Sequence, residues 1–106
     1  MKIAVIGTGY VGLVAGACLA ETGNDVICFD QDKAKISELR RGQIPIYEPG
    51  LEELVRRNRL KNRLSFTSTL LRAIKSSNVI FVAVSTPQAE DGSADLQHVF
   101  SAVKDL

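Results

Sequence analysis

The sequence carries almost no net charge, with thirteen Lys and Arg against twelve Asp and Glu leaving +1 over 106 residues. That balance produces no global field selecting nucleic acid or an anionic membrane as partner. Histidine is nearly absent: His98 stands alone beside Gln97, with no acidic partner or metal-ligand spacing, so it is assigned neither catalysis nor metal. The two cysteines, Cys18 and Cys28, form no CxxC pair, which excludes a disulfide framework. Both are expected as small buried core residues, unlinked, in a reducing compartment. Long apolar runs are missing too: Gly7, Gly9, Gly12 and Gly16 interrupt the first twenty residues, and nothing approaches the roughly 20 apolar residues of a membrane span. The same punctuation separates the start of the chain from a signal peptide, so a cytoplasmic protein is expected. There is no solenoid-type repeat and no low-complexity segment. At 45% hydrophobic and 24% charged, the composition is that of one domain with one modest core.

What is present begins with an apolar strand, Lys2 to Ile6, that runs into Gly7-Thr8-Gly9-Tyr10-Val11-Gly12 and a small-residue helix. Gly7 permits the tight turn out of the strand, Gly9 lets backbone approach a pyrophosphate, and Gly12 lets the helix sit close to the sheet. The free N–H groups at the helix start face the anion. A second strand, Asp25 to Phe29, ends in Asp30, eighteen residues past Gly12 and close to the roughly 20 expected for a ribose-binding carboxylate. Strand, glycine turn, helix, strand and acidic residue in this order make the signal strong. A carboxylate accepts from a ribose 2′-OH and repels a 2′-phosphate, so NAD is expected over NADP.

The first helix is expected over Tyr10 to Glu21, with Val11, Val14, Ala15, Cys18 and Leu19 as its apolar stripe and Gly23 at its end. Asp32 caps a second helix reaching about Arg41. Residues 43–50 hold two prolines and a glycine and are irregular, with Ile44, Ile46 and Tyr47 partly buried. Pro49 suits the first turn of a short helix that docks through Leu51, Leu54 and Val55. Arg56, Arg57, Arg59, Lys61 and Arg63 lack interleaved aromatics and read as cations at a helix end rather than a nucleic-acid patch. Leu64-Ser65-Phe66 is a short strand. Thr67 or Ser68 caps a helix carrying Leu70, Leu71 and Ile74, and Asn78 to Val84 is a further apolar strand. A last amphipathic helix runs from about Asp95, ending on an apolar position as if cut. The fold class is α/β, a Rossmann-like doubly wound parallel sheet, partial, of about four strands in order 3-2-1-4. The edge beside the last strand is expected to be unpaired.

Three stretches together resemble the UDP-glucose/GDP-mannose dehydrogenase family, and within it the UDP-glucose 6-dehydrogenases: Lys2 to Leu13, Ile44-Pro45-Ile46-Tyr47-Glu48-Pro49-Gly50-Leu51, and Ser85-Thr86-Pro87 with Asp91-Gly92-Ser93-Ala94-Asp95. The resemblance covers the whole chain. It implies oxidation of the C6 alcohol of a nucleotide sugar to a carboxylate in two hydride transfers, with two NAD+ and a thiohemiacetal on a cysteine. It implies cofactor binding by Gly7, Gly9, Tyr10, Val11, Gly12 and Asp30. Lys35 resembles the family lysine near the adenosine, and reads equally as a solvated helix lysine. Thr86 resembles the threonine bordering the nicotinamide, against a plain Thr-Pro turn. Glu48 either orients substrate or caps the following helix. Neither Cys18 nor Cys28 matches the family nucleophile, which with the lysine, the asparagine and the substrate-binding residues belongs to later sequence. Residues 1–106 are therefore expected to be an N-terminal NAD-binding domain, truncated, without the substrate-binding domain and inactive alone. A homo-oligomer is expected of the full-length protein. A sister enzyme acting on GDP-mannose or a UDP-amino sugar, and a stand-alone nucleotide-binding module, are the alternatives.

Overall fold

In the computed structural model, residues 1–75 and 77–83 are described. Strand β1 (Lys2–Ile6) leads into helix α1 (Tyr10–Glu21), strand β2 (Asp25–Phe29), helices α2 (Lys33–Arg40) and α3 (Leu51–Leu60), strand β3 (Leu64–Thr67), helix α4 (Leu70–Lys75) and strand β4 (Val79–Val82). The four strands form one parallel sheet in order β3-β2-β1-β4, the expected order. Its register pairs Val5 with Cys28 and Phe81, and Cys28 with Phe66. The expected last strand ran on to Val84. That residue, the Ser85-Thr86-Pro87 stretch, His98 and the helix from Asp95 lie outside the described residues.

Alternation along the strands divides the core. Ile3, Val5, Val26, Cys28, Leu64 and Phe66 face α1, α2 and α3 and form the larger cluster with Leu13, Ile36, Leu39 and Val55. Ala4 and Ile6 face the other way, against α4, where Ala73 is buried and Leu70 and Ile74 are partly so. Leu71, expected on that face, is 67% exposed. The apolar β4 is exposed at Ile80, Phe81 and Val82; it pairs with β1 on one side and with no strand on the other among the described residues.

The capping chemistry follows the sequence at α2, where the Asp32 carboxylate accepts from the Lys35 N–H at 3.1 Å. It departs at α3. There Gly50 is the N-cap, at a φ of 84° that favours glycine, so Pro49 precedes the helix instead of sitting in its first turn. Ile44 and Ile46 are partly buried as expected, whereas Tyr47 is 94% exposed.

On α1 the structure buries a different face from the expected one. Gly12, Leu13, Gly16, Ala17 and Ala20 are inside, while Val11 and Cys18 are exposed. Small residues win the sheet-facing side because the helix lies close: a Cβ at Gly16 would stand 2.7 Å from Cys28 Sγ. Cys18 is thus a surface thiol, not a core one, and both cysteines are free. The arginines in and after α3 are largely tied down within the chain. Arg57 forms an ion pair with Glu21 at 2.6 Å, and Arg63 donates to Asn58 Oδ1 at 3.1 Å. Among the described residues no helix is long and apolar enough to cross a membrane.

Candidate functional site

The carboxyl ends of β1 and β2 lie side by side, since Ile6 pairs with Phe29. The chain leaves β1 through Gly7, whose φ of 108° suits glycine, and whose N–H donates to the Phe29 carbonyl at 2.7 Å. Gly9 then caps α1 with no side-chain hydrogen bond, and no acidic residue occupies the first turn. The first helical bond runs from Leu13 N–H to Gly9 C=O. The N–H groups of Tyr10, Val11 and Gly12 therefore have no helical acceptor and present the positive end of the helix dipole.

Space at the turn is distributed as a bound anion needs. A Cβ on Gly9 would meet nothing within 4 Å, so the backbone there is open to a ligand. A Cβ on Gly12 would overlap the Gly7 carbonyl oxygen and approach Ala83, so only glycine lets the helix start this close to the strand end. Tyr10 and Val11 are exposed at the same end of α1.

Asp30 stands across from this turn. Its Oδ2 accepts from the Thr8 hydroxyl at 2.7 Å and from the Thr8 N–H at 3.1 Å, and Oδ1 accepts from the Asp32 N–H at 3.0 Å. Lys35 Nζ lies 3.8 Å from Oδ2. Burial pushes the Asp30 pKa up, but the bonds from Thr8 and Asp32 and the Lys35 charge outweigh it, so the carboxyl lies below its ordinary value. Each ionised carboxylate oxygen has two acceptor positions. Oδ1 thus retains one for a further donor.

Thr8 is a residue of the candidate site that sequence reasoning passed over. It is fully buried, and it locks the glycine turn to the carboxylate. A hydroxyl between the first two glycines, opposite an acid at the end of the next strand, is the available signal. Lys35, which the resemblance set near the adenosine, stands beside Asp30. Glu48 does not cap α3, which starts from Gly50; its carboxylate accepts from the Tyr10 hydroxyl at 3.1 Å. That bond, followed by Glu48's charge, raises the Tyr10 pKa. It ties the 43–50 segment to the start of α1. The structure thus brings Gly7, Gly9, Tyr10, Val11, Gly12, Asp30 and Lys35 to one end of the sheet, while Thr86 lies outside the described residues.

The family model described as "UDP-glucose/GDP-mannose dehydrogenase family, NAD binding domain" matches residues 1–106. The chain belongs to this family. Within the family it is 55% identical over 105 residues to the UDP-glucose 6-dehydrogenase TuaD of Bacillus subtilis, covering 99% of this chain and 23% of that protein. It is 52% identical over 107 residues to the UDP-glucose 6-dehydrogenase of Rhizobium meliloti, covering 100% and 24%. Among solved structures it superposes on a GDP-mannose dehydrogenase from Pseudomonas aeruginosa with a TM-score of 0.95 at 38% identity, covering 99% of this chain and 24% of the other. A UDP-glucose dehydrogenase from Pyrobaculum islandicum gives 0.93 at 41% identity, covering 97% and 24%. The chain spans about a quarter of the length of these dehydrogenases, and the portion they share is the NAD-binding one.

Proposed function

We propose that this chain is the cofactor-binding portion of a UDP-glucose 6-dehydrogenase that oxidises UDP-glucose to UDP-glucuronate with two NAD+, in the cytoplasm and as a homo-oligomer. NAD supplies the hydride acceptor when bound. The chain's own residues hold its non-reacting half. The N–H groups of Tyr10, Val11 and Gly12 take the pyrophosphate, open backbone at Gly9 lets it approach, and Asp30 accepts from the adenosine ribose with Lys35 alongside. Thr86 is assigned to the nicotinamide side by resemblance. The substrate residues and the nucleophilic cysteine are assigned to sequence beyond this portion, so the 106 residues alone bind without turnover.

The observation that carries the cofactor reading is the Thr8–Asp30 lock, which sets an ionised carboxylate with a spare acceptor position opposite an anion-ready helix start. The choice of sugar nucleotide is supported by identities of 55% and 52% to proteins named UDP-glucose 6-dehydrogenase, above the 38% to the GDP-mannose dehydrogenase structure.

Calorimetric titration of the chain with NAD+ and NADP+ tests the reading. Saturable NAD+ binding is expected, with NADP+ weaker by about tenfold or more, a difference of about 1.4 kcal/mol. Asp30→Ala should narrow that gap. Equal binding of the two nucleotides by the folded wild type would overturn the role given to Asp30, and turnover of GDP-mannose but not UDP-glucose by the full-length enzyme would overturn the substrate.

A further inference from the structure

A second concave surface lies along the outer side of β3, the end strand of the sheet, and shares no residue with the glycine turn or Asp30. It is a cavity of about 520 Å³ lined by Arg40 from α2, Arg56 and Arg59 from α3, and Arg72 from α4. Ser65 and the exposed Leu60 complete its wall, and no carboxylate is among the described residues lining it. Its size is within the ~300–1,000 Å³ range of small-molecule sites.

Four arginines from three helices line it. Arg56 pairs with Glu53. Arg40 donates through Nε and Nη2 to the Phe66 carbonyl at 3.0 and 2.9 Å, and Arg59 donates to the Arg40 carbonyl. Carbonyl oxygens hold Arg40 and Arg59 without neutralising them, so both keep their positive charge at the wall of the cavity. Like charges lining one cavity repel, and an anion shared among them offsets that repulsion. Planar guanidiniums match phosphate oxygens in bidentate geometry, and pre-orientation lowers the entropy lost on binding.

We propose that this groove binds a polyphosphate group, carried either by inorganic polyphosphate or by a nucleoside triphosphate, as a site additional to the NAD turn. Its anchors are Arg40, Arg59 and Arg72, with Leu60 available as an apolar wall for a base.

The test titrates the folded chain with tripolyphosphate and with ATP at constant ionic strength, following heat and backbone amide shifts, in wild type, Arg72→Ala and Arg59→Ala. Arg72 is exposed, so its truncation is expected to leave the fold intact; Arg59 supports the end of α2, so the two variants differ in structural risk. Saturable binding with shifts at Ser65 and Phe66, weakened about tenfold or more in Arg72→Ala with unchanged NAD+ affinity, is expected. Equal affinities for tripolyphosphate and ATP support a site for the phosphate chain alone, and tighter ATP binding supports the nucleotide. Absence of saturation at millimolar ligand, affinity unchanged in both variants, or shifts confined to Gly7–Gly12 would overturn the proposal.

Discussion

At the scale of single residues, two pairs decide how the site is held. The Thr8 hydroxyl is buried and donates at 2.7 Å to a carboxylate, the kind of charge-assisted bond whose loss costs about 1.5–3 kcal/mol. Thr8→Val should lower the urea midpoint accordingly and weaken NAD+ binding, since only the backbone N–H of residue 8 still ties Asp30 to the turn. Unchanged stability in this variant would remove Thr8 from the site. The same geometry fixes a pH dependence. Because the folded Asp30 pKa is lowered, the carboxylate's stabilisation is fully present above its unfolded value of about 4 and is lost as pH falls through the lower folded value. Unfolding curves of wild type and Asp30→Asn should therefore converge as the solution is acidified below about pH 4. The cysteines differ by environment alone. Burial pushes the Cys28 thiol up to about 12, whereas Cys18 is exposed. A thiol reagent at neutral pH should modify one cysteine in the native chain, Cys18, and both in denaturant. Rapid native labelling of Cys28 would contradict the packing of α1 on β2.

At the scale of elements, ends were more legible than faces. Helix α1 starts and stops where the glycine turn and Thr22-Gly23 require, and α2 is capped by Asp32 as its sequence implies. The buried side of α1 was not legible, because that helix is apolar or small all round and its periodicity does not single out a side. The deciding fact is tertiary: β2 presents Cys28 at the place where α1 passes, and only Gly16 leaves room for it. Gly16→Ala should gain about 1 kcal/mol in helix propensity but lose about 1–3 kcal/mol to overpacking, a net destabilisation. Shortening the opposing side chain should reverse the sign, so Gly16→Ala in a Cys28→Ala background is expected to be better tolerated than in wild type. A double-mutant cycle of urea denaturation measures that coupling, and additive effects would place the contact elsewhere. Contacts such as Arg57 with Glu21, thirty-six residues apart, leave no mark in local sequence. The geometry of the candidate site was legible for the opposite reason: the glycines and Asp30 are constrained by the turn itself, whereas Thr8 owes its place to a residue twenty-two positions away.

At the scale of the molecule, the two ends of the sheet are finished differently. On β3, the carbonyls of Arg63 and Thr67 accept from Val26 and Asp30 of the neighbouring segment, so the intervening Phe66 carbonyl points outward, where Arg40 covers it. A charged side chain on an edge carbonyl blocks a further strand from pairing there. On β4 no such cover is present among the described residues. Ile80, Phe81 and Val82 are 38%, 45% and 41% exposed, on both faces of the sheet, since Phe81 lies beside Val5 and its neighbours flank Ala4 and Ile6. An apolar strand with open backbone on its outer side is a template for another strand. The 106-residue chain is therefore expected to self-associate through β4 rather than β3. Sedimentation velocity should show a concentration-dependent shift toward dimer, reduced by Phe81→Lys and unaffected by Arg72→Ala, which alters only the β3 side. The lysine charge opposes edge-to-edge pairing while its stem still lies along the sheet. A wild-type monomer at all concentrations would mean that the apolar surface of β4 is covered within the chain itself.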